Sequence, residues 1–126
     1  MKKRCTLSEK ATRLIPPMQL AVTVKSREIM ETVSGELNRL VENIPKLYET
    51  DGNEDAKISL HYFYGSIDYY VLEWDNADTF FGYLVKCNSL DNSEIGYQSK
   101  AELFKSLPLL NLDYYFEQRH IDEILK

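Results

Sequence analysis

The spacing of apolar residues along this chain changes from a helical period to a strand period. Between residues 27 and 43 apolar side chains recur every three or four positions, as on one face of an amphipathic helix. Ser26 stands just before this segment, Glu28 lies in its first turn and Pro45 follows it, which are typical helix boundaries. The pattern predicts a helix over residues 27–43 whose apolar face packs on a sheet.

Aromatic and aliphatic residues then concentrate in short segments separated by turn residues. Residues 58–64, 69–75 and 79–87 have this composition and predict three antiparallel strands of a meander. A shorter fourth strand is predicted at residues 94–98. Residues 18–24 alternate between apolar and polar side chains, which predicts one more short strand near the N-terminus.

Helix signals return towards the C-terminus. Ser99 and Glu102 have the spacing of a capping box, and Pro108 ends the helix that they begin. Residues 112–116 are expected to be extended. A short final helix is expected to present three apolar side chains on one face, those of Ile121, Ile124 and Leu125.

These segments predict an α+β fold, with a small antiparallel meander sheet of about four strands, an N-terminal helix and one or two C-terminal helices packed on one face. A length of 126 residues fits one domain. Residues 1–13 lack periodicity, and Pro16 and Pro17 interrupt any continuous helix. We therefore expect a poorly ordered or loosely docked start over residues 1–13. Residues 1–26 are expected to form a basic, partly ordered arm, and residues 27–126 a single α+β domain.

Charge divides the chain in the same way. Residues 1–27 hold seven basic residues and one acidic residue, whereas residues 28–126 have a net charge of −11. An acidic body repels phosphate, so we expect it not to bind nucleic acid directly. The basic arm could contact phosphate, although a solvated tail is the favoured interpretation.

No apolar run approaches the length that spans a bilayer, and the N-terminus lacks the pattern of a signal peptide. We expect a cytoplasmic protein that does not bind membranes. The two cysteines, Cys5 and Cys87, have no partner at the spacing of a zinc site or a disulfide framework. Nothing in the sequence determines the oligomeric state.

One group of residues suggests chemistry. Glu73, Asp75 and Asp78 cluster at the end of a predicted strand, with His61 on the strand before it, so a metal-dependent, nuclease-like enzyme is one alternative. Strand alternation places only Glu73 and Asp75 on one face, which argues against converging ligands. The five glycines are scattered singly, which does not suit a phosphate-binding loop. We expect no metal and no cofactor.

Aromatic residues are the more distinctive feature, with nine tyrosines, five phenylalanines and one tryptophan. A small sheet cannot bury all of them, and tyrosine and tryptophan are enriched in protein interfaces. An exposed aromatic face on an acidic body therefore favours protein recognition. Tyrosines that line the edge of the core with hydrated hydroxyl groups would have the same composition.

Several short motifs between residues 44 and 116 occur in a characteristic order. They are Ile44-Pro45-Lys46-Leu47-Tyr48, Tyr70-Val71-Leu72-Glu73, Asp78, Phe81-Gly82, Glu94-Ile95-Gly96-Tyr97-Gln98-Ser99, Glu102-Leu103 and Asp113 before Tyr115-Phe116. This order resembles domain of unknown function family 2958, a family of small domains carried by phages, plasmids and conjugative elements. The resemblance implies a genetic context of antirestriction and DNA transfer, and it implies no activity.

The favoured hypothesis is a non-enzymatic, protein-binding module of a mobile genetic element. Its expected role is to modulate or inhibit a host defence complex or a complex that handles nucleic acid. A purely structural accessory domain is a further alternative. The residues expected on the binding surface are Glu73, Trp74, Asp75, Asp78, Asp113 and Tyr114.

Overall fold

The computed structural model describes residues 6–87 and 89–124, and it confirms the expected α+β class. Three helices precede four strands, which are followed by a helix, a short strand and a last helical turn. The elements are α1 (Glu9–Leu14), α2 (Pro17–Lys25), α3 (Arg27–Leu40), β1 (Leu60–Tyr64), β2 (Ile67–Trp74), β3 (Thr79–Lys86), β4 (Ser89–Ser99), α4 (Lys100–Ser106), β5 (Asn111–Leu112) and α5 (Ile121–Ile124). Part of the basic arm, residues 1–5, and Leu125 of the expected final helix lie outside the described residues.

The sheet is antiparallel, with the strand order β4-β3-β2-β1-β5. Its first four strands form the predicted meander. β5 is a fifth strand that the sequence pattern does not show, and β4 is longer than the predicted segment at residues 94–98. A bulge lies between Val71 and Glu73, so the side chains of β2 change face at that point.

Helices α1, α3 and α4 cover one face of this sheet, here called the helical face. α3 begins as predicted, because the Ser26 hydroxyl accepts a hydrogen bond from the Ile29 N–H, and the helix ends at Leu40. Its buried side chains Val33 and Leu37 belong to the same core cluster as Tyr62 and Phe80 of the sheet. This layer is the main hydrophobic core.

The strand predicted at residues 18–24 is wrong, because α2 occupies this segment. Pro17 is well placed at the start of a helix. The polar residues face inwards. The Gln19 side chain donates to the Leu112 carbonyl and accepts from its N–H, while the Thr23 hydroxyl hydrogen-bonds the Tyr114 hydroxyl. Met18 and Val22 are exposed, so the alternation of apolar and polar residues does not show which side of α2 is buried.

The expectation of a loosely docked start is also wrong for the described part of residues 1–13. Ser8 caps α1 by accepting from the Ala11 N–H, and Ala11 and Leu14 are fully buried. The Tyr62 hydroxyl donates to the Leu14 carbonyl at 2.5 Å. α1 is therefore an integral part of the main core.

The opposite face of the sheet has a smaller core of its own, around Tyr70, Leu72 and Val85. Ile121 of α5 packs here, whereas Leu103 and Phe104 of α4 pack in the main core. Of the one or two C-terminal helices expected on one face, α4 packs there, and α5 packs on the opposite face. The segment around Ile58 covers part of this second face, and the β3 and β4 end of it stays largely open.

Candidate functional site

Glu73, the first residue expected on a binding surface, is only 1% exposed. Its carboxylate accepts hydrogen bonds from the Tyr48 N–H at 2.8 Å, the Thr50 N–H at 2.9 Å and the Thr50 hydroxyl. Tyr48 has a positive φ of 73°, which is uncommon for a residue with a side chain. Glu73 therefore holds the loop after Pro45 in one particular conformation.

Trp74 and Asp75 hold the turn between β2 and β3. Trp74 is buried and donates through Nε1 to the Ala77 carbonyl, and the Arg13 guanidinium lies 5.0 Å from the centre of its ring. The Asp75 carboxylate accepts from the N–H groups of Ala77 and Thr79. Trp74 therefore cannot take part in a surface contact as the chain is folded here.

Asp78 joins this turn to the start of α4. Ser99 caps α4 as predicted by accepting from the Glu102 N–H, and its hydroxyl also donates to Asp78 at 2.5 Å. The second carboxylate oxygen of Asp78 accepts from the Ala101 N–H at 2.8 Å. These two hydrogen bonds lower the pKa of Asp78 below its usual value.

Asp113 and Tyr114 lie at the other end of the sheet. The Tyr114 hydroxyl pairs with Thr23 on the helical face. Asp113 contacts His61, whose Nδ1 lies 3.2 Å from one Asp113 oxygen while its Nε2 lies 2.7 Å from Asp68. The structure therefore distributes the six expected surface residues among separate hydrogen-bonded groups and forms no single surface from them.

His61 is held between two carboxylates and stacked on Tyr70, with ring centres 4.7 Å apart. Burial, with the negative charges of Asp68 and Asp113, raises the pKa of Tyr70 to about 12. Each imidazole nitrogen of His61 faces one carboxylate. His61 thereby links β1, the start of β2 and the segment after β5.

Replacing His61 with phenylalanine is expected to lower the free energy of unfolding by about 1–2 kcal/mol, because the stacked ring remains while both carboxylates lose their partner. Urea denaturation at pH 6 measures this loss. Adding Asp68→Asn and Asp113→Asn to His61→Phe removes the unpaired charges and should recover part of the stability. A triple variant no more stable than His61→Phe would contradict this role.

The four residues of the metal-dependent alternative are not brought together. Glu73, Asp75 and Asp78 bind different loops, and His61 contacts other carboxylates. Within residues 6–87 and 89–124, no three His, Cys, Asp or Glu side chains are grouped as a metal site requires. In the same part of the chain, no helix is long and apolar enough to cross a bilayer.

A groove of about 460 Å³ lies on the second face of the sheet. One wall is the loop of residues 50–56, and the other is residues 120–122 at the start of α5. Four side chains of the sheet line it between these walls, those of Leu72, Phe81, Tyr83 and Ile95. Apolar and acidic groups converge in this groove, here called the acid-rimmed groove.

The rim of the groove is negatively charged. Asp51 and Glu54 are exposed on one wall and Asp122 on the other, and no lysine or arginine of the described residues lines the groove. Partial burial and the Asp122 carboxylate raise the pKa of Tyr83, which disfavours the ionised form of its hydroxyl still further. The arrangement suits an elongated ligand with both cationic and apolar groups.

The two walls are linked before any ligand arrives. The Nε2 of His120 lies 2.5 Å from the Glu54 carbonyl, and its Nδ1 accepts from the Asp122 N–H. Glu73 holds the same loop from below through Tyr48 and Thr50. The groove is therefore a preformed feature of the folded chain.

Aromatic rings extend the apolar surface beyond the groove. Phe81 packs on Tyr97 with ring centres 4.8 Å apart, and Tyr97 contacts Tyr48 at 6.1 Å. Tyr48 and Tyr97 are both exposed. The sequence indicated the acidic loop and the aromatic strands separately, but it did not show that they form one site.

Comparison of the chain with protein-family models, with curated proteins and with solved structures finds no match.

Proposed function

We propose that this chain is a non-enzymatic binding module whose acid-rimmed groove receives a basic segment of a partner protein. The observation that carries the proposal is the juxtaposition of an apolar floor, including Phe81 and Tyr83, with the carboxylates of Asp51, Glu54 and Asp122. In a lysine- or arginine-rich segment, the aliphatic stems of the side chains can contact the apolar floor, and their charged ends can contact the carboxylates.

Long basic side chains have two parts that this groove accommodates differently. Their aliphatic stems gain free energy on an apolar or aromatic surface, while their charged ends remain near water and carboxylates. Arginine also forms charge-assisted hydrogen bonds with carboxylates. The net charge of −11 on residues 28–126 adds long-range attraction, which accelerates encounter with a basic partner.

The class of partner follows from the same chemistry. Proteins that handle nucleic acid present basic surfaces to phosphate, and an acidic module can occupy such a surface. The resemblance to domains of mobile genetic elements supports a cytoplasmic host defence complex, or another complex that handles nucleic acid, as the target. The module would modulate or inhibit the target by competing with its nucleic acid.

A fluorescein-labelled peptide of about ten residues, with arginine and lysine interspersed with leucine, tests the proposal by fluorescence anisotropy. The groove variant Asp51→Asn/Glu54→Gln/Asp122→Asn should bind it at least about tenfold more weakly than the unmodified chain, because it lacks the rim carboxylates.

The matched control removes the same charge from exposed residues outside the groove, as Glu28→Gln/Glu31→Gln/Glu42→Gln. It should weaken binding by only about twofold, since it loses long-range attraction alone. Equal losses in the two variants would contradict a groove site. Absence of binding by the unmodified chain at about 50 mM salt would contradict the proposal altogether.

A further inference from the structure

The two edges of the sheet differ in length. β5, at one edge, has two residues, whereas β4, at the other, has 11, and within the described residues β4 pairs with β3 alone. Its segment from Ser93 to Ser99 pairs in one continuous register, and a register shift separates this segment from Ser89. A long edge strand invites pairing with another strand, and proteins usually block it with charged side chains, lysine above all, or with proline, a bulge or a covering element. Residues 89–99 contain neither lysine nor proline, and Ile95 and Tyr97 are each 54% exposed.

Gly96 lies in the middle of this strand, where nothing in the fold requires a glycine. Its φ is not positive, and a Cβ added there would meet nothing within 4 Å. Glycine within a strand is destabilising relative to alanine, and it often marks a close approach of a second backbone. Gly82, its neighbour on β3, is different, because a Cβ there would lie 2.1 Å from the Tyr70 carbonyl oxygen.

The ladder between β3 and β4 fixes the direction of the backbone groups along the edge. The Lys100 N–H donates to the Asp78 carbonyl, and the register places Gly96 opposite Gly82. Because hydrogen-bonded pairs alternate along an antiparallel ladder, Gly96 directs its N–H and C=O towards β3. Ile95 and Tyr97 therefore direct theirs outwards, where a further strand would pair.

We propose that two copies of this chain pair through β4 as antiparallel strands, with the two-fold axis at Gly96. Ile95 of each copy then lies opposite Tyr97 of the other, so the two exposed apolar side chains cover each other on the second face. This isologous contact joins two five-stranded sheets into one of ten strands.

The two acidic residues of β4, Asp91 and Glu94, agree with this register, because Asp91 lies opposite position 101, which follows β4 of the second copy. Glu94 lies opposite Gln98 of the second copy, and the two Glu94 residues are about 13 Å apart along the strands, so they do not oppose each other. The two Gly96 residues form a non-hydrogen-bonded pair, in which Cα atoms approach to about 4.5 Å. The contact depends on the edge of β4 and not on the acidic rim of the groove.

Site-specific cross-linking tests the register. In a Cys5→Ser/Cys87→Ser background, Gly96→Cys should form a disulfide-linked dimer on mild oxidation, because the two positions face each other across the axis. Glu94→Cys in the same background should cross-link at least about tenfold more slowly. Similar rates in the two variants, or no cross-link with Gly96→Cys, would overturn the register.

Sedimentation velocity at about 100 µM tests the association itself. The unmodified chain should sediment as a dimer. Gly96→Lys should sediment as a monomer, because it places like charges directly opposite each other at the axis. The lysine should leave the melting temperature measured on dilute, monomeric protein nearly unchanged, since no atom lies near its Cβ. An unmodified chain that is monomeric at this concentration would refute the dimer.

Discussion

Replacing Gly82 with alanine is expected to be among the most damaging single changes in this chain, lowering the free energy of unfolding by about 3 kcal/mol or more. The new Cβ would lie 2.1 Å from the Tyr70 carbonyl oxygen and 3.1 Å from the Val71 Cα. Both atoms belong to the backbone of β2, so relief requires the central strands to move apart beside the bulge. Chemical denaturation measures the loss.

Gly96→Ala is the matched control, since it makes the same change on the neighbouring strand in open space. Measured on monomeric protein at low concentration, it should be neutral or stabilising by up to about 1 kcal/mol. Similar destabilisation by the two changes would show that strand glycine in general, and not the close approach at Gly82, determines the effect.

Replacing Glu73 with glutamine should lower the free energy of unfolding by about 2–3 kcal/mol. The carboxylate accepts from three donors of the loop at residues 48–50, and a glutamine side chain has one oxygen with which to accept and a new N–H₂ that opposes the remaining donors. Thermal and urea denaturation measure the loss. The basic peptide should also bind more weakly, since this loop continues into one wall of the groove.

Glu49→Gln provides the control for Glu73→Gln, because Glu49 is exposed in the same loop and the exchange removes the same charge. The single hydrogen bond that Glu49 accepts, from the Lys46 N–H, can be kept by the glutamine oxygen. Its effect on stability should stay within about 0.5 kcal/mol. If Glu49→Gln destabilised the chain as much as Glu73→Gln, loss of loop charge would explain the result better than loss of the buried hydrogen bonds.

The sequence correctly predicts those elements in which the apolar side chains are also the buried ones. α3 has a cap and an amphipathic stripe, and β1, β2 and β3 carry strand-forming side chains between turns. α2 was missed because Gln19 and Thr23 face inwards beside Leu20, and a hydrophobic pattern counts these two polar residues as exposed. The two-residue strand β5 is too short to have a pattern.

The acidic residues show why the candidate surface was harder to predict. Glu73, Asp78 and Asp113 have no structural role in the sequence alone, but each accepts hydrogen bonds from residues distant in the chain. Ser99 is a further case. At the start of an isolated helix, aspartate caps about as well as serine does. In this fold, Ser99→Asp would place a second carboxylate against that of Asp78.

The groove could not be predicted from the sequence for the same reason, because its parts are distant from one another in the chain. Its walls come from residues 50–56 and 120–122, and the floor comes from three strands between them. Acidic composition and aromatic content each suggested recognition of a protein. Only the topology brings the two features to one place.

Mapping by NMR tests the groove as a binding site most directly. Unlabelled basic peptide is titrated into ¹⁵N-labelled protein, and the backbone amide shifts are followed residue by residue. The account predicts that the largest shifts cluster at residues 50–54, Tyr83, Ile95 and residues 120–122, with little change along α3. Shifts spread evenly over the acidic surface, or concentrated on α3 while the groove residues stay unchanged, would contradict it.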